Sequence, residues 1–371
     1  MKAVLIKIWA CALSFLYLFV LPWNSQVQPN RIPETRSFKG EVPDKYGVWP
    51  TEKFEQGEKP WWLAPRLLEL RYHLARYDRG NGDTIDSFLI LYKGRIVYER
   101  HNNEAYGADT PHFVASVTKS VTSALVGIAI GEGLIGGVED KVLAYFPEAA
   151  GMPGWEESKR EMTIEHLLTM NSGIITDGDA AAWDGYFAED LEDSALYAFL
   201  RPQAYPPGVK HKYENIAPSI LLGIIQRASG RPFLEYAQEK LFAPLGMESV
   251  EWETAADGLP FGAFGIDMSP HDMARFGYLY LNYGRWEGAQ IIPADYVKRT
   301  PSKSISPKAY GYLFWNHKMT PFRGFYEANG ADGQYIVIMP GRNMVVVCTG
   351  SDRKETGIKT FREMVRGIFG K

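Results

Sequence analysis

The sequence predicts an α/β fold of the α+β kind, in which an antiparallel sheet is flanked by terminal helices and carries an inserted all-helical lobe. Apolar runs joined by short turns occur near the start, over 86–100, and again near the end, over 334–349, which is the pattern of β-hairpins. Short helical patterns separated by Pro and Gly fill the middle, over about 135–265. Strands at both ends with helices between them indicate one sheet built from both parts of the chain.

Composition excludes several classes of protein. Of the 371 residues, 46% are hydrophobic and 23% are charged, and the net charge is −4. This balance is typical of a globular protein and lacks the clustered Lys and Arg that nucleic-acid binding requires. The seven histidines are scattered without a His-x-x-x-His pair. We therefore expect no metal site, no cofactor and no nucleic-acid partner.

The first residues indicate export. Lys2 and Lys7 precede an apolar run, 8–23, that a polar stretch follows, as in a signal peptide. Trp23 stands where a cleavage site would have a small residue, so an uncleaved N-terminal anchor that attaches the protein to the membrane is the alternative. We expect a periplasmic or secreted protein, released or held at the membrane. The predicted divisions are a signal peptide or anchor over 1–25, a linker or arm over 26–60, and a catalytic domain over 61–371 with an α/β lobe (about 61–115 and 266–371) and a helical lobe (about 116–265).

Periodicity places the main elements. Leucines recur at helical spacing over 62–77, and an apolar helix extends from Ser116 until Gly131 and Gly133 end it. Further elements are two hairpins and three helical patterns: Phe88–Tyr92 with Arg95–Tyr98, Gln334–Met339 with Met344–Thr349, and helices over Thr163–Met170, Ala217–Ala228 and Gly357–Phe369.

Ser116 and Lys119 form a candidate catalytic pair. A serine hydroxyl is a weak nucleophile until a base removes its proton, and residues three apart on a helix share a face. Burial would favour the neutral lysine, which can accept that proton. A serine at a helix start also lies in the positive field of the N-terminus. The alternative is a surface lysine on an apolar stem, and the second Ser-x-x-Lys match, 351–354, is interpreted as a solvated loop.

Two further segments carry candidate site residues. Tyr213 and Asn215 are two apart, so in an extended loop their side chains point the same way; a tyrosine can transfer a proton and an amide can orient the lysine. A glycine-rich stretch, 330–334, enters a strand, where glycine allows close backbone approach and a strand-edge amide can complete an oxyanion hole. A packed tyrosine and an ordinary turn are the alternatives.

These three elements, in this order, resemble the serine β-lactamase and penicillin-binding-protein superfamily, and most of all its class C-like branch of esterases and 6-aminohexanoate-dimer hydrolases. The resemblance extends over about 60–370 and includes further signatures at 163–173, 223–230, 242–247 and 269–277. It implies a β-lactamase/transpeptidase-like fold and the following roles: Ser116 as acylated nucleophile, Lys119 as base, Tyr213 as shared acid and base, Asn215 as support, Gly330, Ala331 and Gln334 as substrate-binding positions, and the amides of Ser116 and Ala331 as the oxyanion hole.

One departure from the superfamily bears on the substrate. The third motif, often Lys-Thr-Gly or His-x-Gly, is here Ala328-Asn329-Gly330, without a cation to bind a β-lactam carboxylate. The expected activity is therefore hydrolysis of a small ester or amide. The alternatives are a β-lactamase, a D-alanyl-D-alanine carboxypeptidase, and a penicillin-binding sensor or scaffold without turnover. The segment 174–190 is either the mouth of the site or an acidic surface loop. The oligomeric state does not follow from the sequence.

Overall fold

The structure is a computed structural model that describes residues 61–77, 85–101, 107–175, 180–301, 310–317, 324–351 and Val365. The segments predicted as a signal peptide (1–25) and a linker (26–60), and the closing helix over 357–369 apart from Val365, lie outside the described residues. Within the described ranges, no helix has the length and hydropathy to cross a membrane.

A seven-stranded antiparallel sheet contains both predicted hairpins. Its strand order is β2-β1-β12-β11-β10-β9-β8, so the first hairpin pairs directly with the last one. This joins the two ends of the described chain in one sheet, as predicted. The strands are β1 (Ile85–Tyr92), β2 (Arg95–His101), β8 (Tyr310–Gly311), β9 (Phe314–His317), β10 (Phe325–Gly330), β11 (Gln334–Met339) and β12 (Met344–Gly350).

The central strands are apolar on both faces because both faces of the sheet are covered. Along β11, Ile336 and Ile338 belong to a core on one face, whereas Val337 belongs to a second core on the other. The second core contains four of the five leucines of α1 (Leu63–Tyr77) and also Val365. Period-2 alternation of side chains thus divides one apolar strand between two cores.

Between the hairpins lie the remaining helices: α2 (Thr118–Gly131), α3 (Ile164–Leu168), α4 (Ala180–Tyr186), α5 (Ser194–Leu200), α6 (Pro218–Ser229), α7 (Phe233–Ala237), α8 (Pro270–Leu281) and α9 (Ala294–Arg299). The fold prediction is confirmed, and the structure adds two small sheets that were not predicted. A three-stranded sheet joins β3 (His112–Phe113), β4 (Glu251–Trp252) and β5 (Ile266–Met268), and β6 (Arg285–Trp286) pairs with β7 (Ala289–Gln290). Among the strands of these two sheets, only β4 lies inside the range predicted as the helical lobe. These strands have two or three residues, too few for an alternating pattern to be recognised.

Helix α8 packs on the large sheet and also contacts the segment before β3. A Cβ added to Gly277 would lie 2.6 Å from Val345 Cγ1 and 2.7 Å from Ile336 Cγ2, so this helix packs its backbone on the sheet. At its first turn, His271 bonds through one ring nitrogen to Glu99 (2.9 Å) and through the other to Asp109 (3.2 Å). Burial by itself lowers the pKa of His271, but the hydrogen bonds to both carboxylates raise it to about 9. The charged histidine therefore ties β2 to the segment before β3.

Candidate active site

Ser116 lies in a tight turn immediately before α2. The 3₁₀ turn Ala115–Val117 precedes the α-helix, which begins at Thr118 and not at Ser116 as predicted. Ala115 has φ 48°, a left-handed conformation that costs a non-glycine residue about 1–3 kcal/mol. Ser116 is partly exposed. The two residues on either side of it are buried: Val114, Ala115, Val117 and Thr118. The turn therefore presents the serine at the surface of a buried segment.

Lys119 lies in the first turn of α2 and is 1% exposed. Its Nζ lies 3.2 Å from Ser116 Oγ. The same nitrogen donates to Asn215 Oδ1 at 2.6 Å and to the Ala263 carbonyl at 3.1 Å. The structure thus brings the serine and lysine of the sequence motif into direct contact, and it surrounds the amine with neutral oxygen acceptors.

The loop before α6 brings Tyr213 and Asn215 to the same amine. Between them, Glu214 is buried and its carboxylate accepts a hydrogen bond from the Ala217 amide. Glu214 thus fixes the loop between the two residues, and Asn215 Oδ1 accepts a hydrogen bond from Lys119 Nζ. The Lys119 Nζ lies 4.7 Å from the centroid of the Tyr213 ring.

Aromatic side chains hold the Tyr213 ring in place. Trp315 stacks on it with centroids 5.9 Å apart and planes at 23°, and Tyr310 meets it edge-on at 5.9 Å. Both neighbours come from the β8–β9 hairpin at the end of the large sheet. Tyr213 therefore lies at the boundary between the sheet and the helical lobe.

Gly330 brings the end of β10 against the nucleophile turn. A Cβ at this position would lie 2.3 Å from the Val114 carbonyl oxygen and 3.0 Å from the Ser116 nitrogen. Such distances leave room for a hydrogen atom only, so the position requires glycine. Ala331 follows in a 3₁₀ turn, Ala331–Gly333, and is partly exposed. The backbone proposed to hold an oxyanion thus adjoins the Ser116 amide.

Gln334 is placed differently from the other candidate residues. Its side chain is 3% exposed and its Nε2 donates to the Gly350 carbonyl at 2.6 Å. This bond ties β11 to β12 inside the sheet. A substrate contact through Gln334 remains a prediction from the resemblance, and the geometry gives this amide a structural contact.

Ala328 is an uncharged residue on the same face of β10 as Gly330, the residue that approaches Ser116. Ala328 is 1% exposed and lies two residues from Gly330, so both occupy the same face of β10. Asn329 faces the opposite side, where its Nδ2 donates to Glu327 Oε1 at 2.9 Å. The motif that often supplies a cation in the superfamily therefore presents a methyl group here.

The Ala263 carbonyl was not predictable from the sequence. A backbone oxygen leaves no signal in residue identity, and Ala263 is separated from Lys119 by 144 positions. Trp315 was likewise not predicted as the neighbour of Tyr213. That contact depends on how the end of the sheet meets the helical lobe, which no local pattern records.

Part of segment 174–190 approaches the site. Trp183, in α4, is partly exposed; its ring stacks on Phe187 at 5.5 Å and lies 6.1 Å from Phe264, the neighbour of Ala263. Asp177 and Asp179 of this segment lie outside the described residues. The predicted role of the segment as the mouth of the site stays a prediction.

Two histidines, His166 and His112, lie near these motifs. His166 Nδ1 accepts from the Thr163 amide at 3.1 Å and so caps α3. Burial lowers the pKa of His112 to about 4. Among the described residues, no group of three or more His, Cys, Asp or Glu side chains is placed to hold a metal ion.

The site has a partly exposed serine that is hydrogen-bonded to a buried lysine, between an antiparallel sheet and a helical lobe. This arrangement is typical of the acyl-transfer site of a serine hydrolase. Comparison with known proteins agrees. The Beta-lactamase family model matches residues 86–364. The 6-aminohexanoate-dimer hydrolase of Paenarthrobacter ureafaciens is 26% identical over 246 residues, which cover 64% of this chain and 60% of that protein. The D-alanyl-D-alanine-carboxypeptidase/endopeptidase AmpH of Escherichia coli K12 is 24% identical over 229 residues, which cover 55% of this chain and 59% of that protein.

Solved structures give the same result. A Bacillus anthracis protein with the provisional name 6-aminohexanoate-dimer hydrolase superposes with a TM-score of 0.65 at 25% identity, covering 81% of each chain. The chain belongs to the beta-lactamase family, within the serine-hydrolase type that includes amidase and carboxypeptidase relatives. It spans about 60% of the length of the curated relatives it matches.

Proposed function

We propose that this protein is a serine hydrolase that cleaves a small ester or amide through an acyl-enzyme on Ser116. The observation that carries the proposal is the contact of 3.2 Å between Ser116 Oγ and the buried Nζ of Lys119. A nucleophile and its base within hydrogen-bond reach are the basic requirement of this chemistry. Asn215 and the Ala263 carbonyl then orient the base.

The contacts of Lys119 are compatible with its role as a base. A neutral amine has two hydrogens and one lone pair. Asn215 Oδ1 and the Ala263 oxygen can take the two hydrogens, which leaves the lone pair facing Ser116 Oγ. In this state the serine donates its proton to Nζ. Asn215 Oδ1 and the Ala263 oxygen thus replace water as partners of the amine.

The proposed reaction has two stages. Ser116 Oγ attacks the substrate carbonyl carbon as its proton passes to Lys119 Nζ, and the amides of Ser116 and Ala331 stabilise the oxyanion. The carbon–oxygen or carbon–nitrogen bond then breaks, and the leaving group takes a proton through Tyr213. Water then attacks the acyl carbon as one of its protons passes to the same pair of residues. The acyl carbon–Oγ bond breaks, that proton returns to Ser116 Oγ, and the acid is released.

Ser116→Ala should abolish covalent labelling by a fluorophosphonate, because the reagent requires an activated serine oxygen. Intact-protein and peptide mass spectrometry should place the label on the wild-type peptide that contains Ser116. Ser351→Ala, at the other Ser-x-x-Lys match, is the control and should label like the wild type. Labelling that persists in Ser116→Ala would refute the nucleophile assignment.

Turnover of short p-nitrophenyl esters should exceed turnover of nitrocefin by at least about tenfold in kcat/KM, which is about 1.4 kcal/mol of transition-state binding. The methyl group of Ala328 offers no charge for a β-lactam carboxylate. Assays with linear amides test for amidase activity. Assays with D-alanyl-D-alanine peptides test for carboxypeptidase activity, the alternative that the similarity to AmpH favours. Faster nitrocefin turnover would make this a β-lactamase, and labelling without turnover of any substrate would indicate a sensor.

We also propose that the protein is exported and acts in the periplasm or outside the cell. The support is the basic and apolar N-terminal sequence, residues 1–25, with cleavage and membrane attachment as alternative outcomes. Its proposed partner is the small-molecule substrate. Separating membrane and soluble fractions of cells that express the full chain distinguishes an anchored form from a released one.

A further inference from the structure

The backbone of residues 261–263, here called the 261–263 segment, is held beside α2 by side-chain donors. Three successive carbonyls each accept one hydrogen bond. The donors are Trp252 Nε1 to Phe261 O at 3.0 Å, Thr122 Oγ1 to Gly262 O at 2.8 Å, and Lys119 Nζ to Ala263 O at 3.1 Å. The Ala263 carbonyl that contacts the lysine therefore follows two carbonyls, those of Phe261 and Gly262, that are themselves fixed by hydrogen bonds.

Thr122 and Lys119 act from one face of the same helix. They are three residues apart on α2, so their side chains are neighbours. They bond to adjacent carbonyls, those of Gly262 and Ala263. The Thr122 bond therefore sets the register of the segment against the helix at the residue next to the one that contacts Lys119.

Helix α6 holds the segment from the other side. The Gly262 amide donates to Ser219 Oγ at 3.0 Å, and that oxygen also accepts from the hydroxyl of Tyr186. A Cβ on Gly262 would lie 2.5 Å from the backbone carbon of Pro218. Gly262 is thus held by one helix at its amide and by another at its carbonyl, so the next carbonyl, that of Ala263, has little freedom to turn away from Lys119.

We propose that Thr122 is a positioning residue for Lys119, acting through Gly262 and the Ala263 carbonyl. This role rests on the proposed acyl-enzyme function. Loss of the Thr122 donor leaves the buried Gly262 carbonyl unpaired, which favours rotation of the peptide towards another donor. The Ala263 oxygen then moves from Nζ, and the amine no longer directs its lone pair at Ser116.

The test compares three variants on one helix. Thr122→Val removes the donor and keeps the shape, Thr122→Ser keeps the donor, and Ser123→Ala removes a buried hydroxyl that bonds to Tyr296 instead of to the segment. Thr122→Val should lower kcat for a p-nitrophenyl ester and the rate of fluorophosphonate labelling by about 10- to 100-fold with little change in KM. Thr122→Ser should recover most of the rate, and Ser123→Ala should keep it.

A lower kcat at an unchanged KM, with recovery in Thr122→Ser, separates positioning from general loosening of the fold, which chemical denaturation measures. A rate that falls only with the folded fraction would overturn the role. Equal impairment of Thr122→Ser would assign the effect to packing and overturn it too. An unlabelled wild type would remove the proposed function and this role together, whereas a labelled wild type with a fully active Thr122→Val removes the role alone.

Discussion

Lys119→Met should reduce kcat/KM for p-nitrophenyl esters by about 10⁴- to 10⁶-fold, the scale seen when one member of a catalytic unit is lost. Methionine keeps an unbranched apolar stem in a site that is 1% exposed. It cannot accept the Ser116 proton, and it leaves Asn215 Oδ1 and the Ala263 oxygen without the donor they now share. Steady-state kinetics and fluorophosphonate labelling rates should fall together.

A second buried lysine gives a matched control. Lys159 is 0% exposed and bonds to the Gly154 carbonyl at 3.3 Å, away from Ser116. Burial lowers the pKa of Lys159 to about 8, so Lys159→Met also removes a poorly solvated amine. It should change the melting temperature and leave kcat near the wild-type value. Full activity of Lys119→Met at neutral pH would transfer the base role to Tyr213.

Gly330→Ala should lower kcat by about 10²- to 10³-fold, the cost of losing an oxyanion-hole donor, and should destabilise the fold by about 1–3 kcal/mol through overpacking. The added methyl would lie 2.3 Å from the Val114 oxygen and 3.0 Å from the Ser116 nitrogen. Relief of that collision must move β10 away from the nucleophile turn. The amides of Ser116 and Ala331 would then no longer converge on one oxygen.

Gly341→Ala is the matched control, because a methyl group there meets no atom within 4 Å. Chemical denaturation measures the stability of both variants, and kcat measured well below each melting temperature isolates the catalytic effect. Wild-type kcat in a destabilised Gly330→Ala protein would show that the two amides do not form the oxyanion hole. A Gly330→Ala protein as stable and active as Gly341→Ala would contradict the close approach itself.

The strands and helices were predictable wherever a local rule was sufficient. Lys93-Gly94 between two apolar runs indicated the first hairpin, and the structure has its turn there. The leucine spacing likewise indicated α1. The short strands β3, β4 and β5 escaped because their pairing joins residues that lie up to 156 positions apart, as for His112 and Met268. The start of α2 differed by two residues, because the 3₁₀ turn at Ala115 has no pattern of its own.

Residue chemistry alone determined which side chains are able to react: a serine three positions before a lysine, a Tyr-Glu-Asn loop and a glycine at a strand end. Helical spacing is a short-range constraint, so the approach of Lys119 to Ser116 followed from it. Only the tertiary structure decided that Asn215 and the Ala263 carbonyl surround the amine, that β10 reaches the Ser116 amide, and that Gln334 faces into the sheet. The contacts around Lys119 and Ser116 join segments about 100 to 200 positions apart, whereas the Gln334 contact joins two neighbouring strands. All of them depend on the packing of whole elements, which no single stretch of sequence determines.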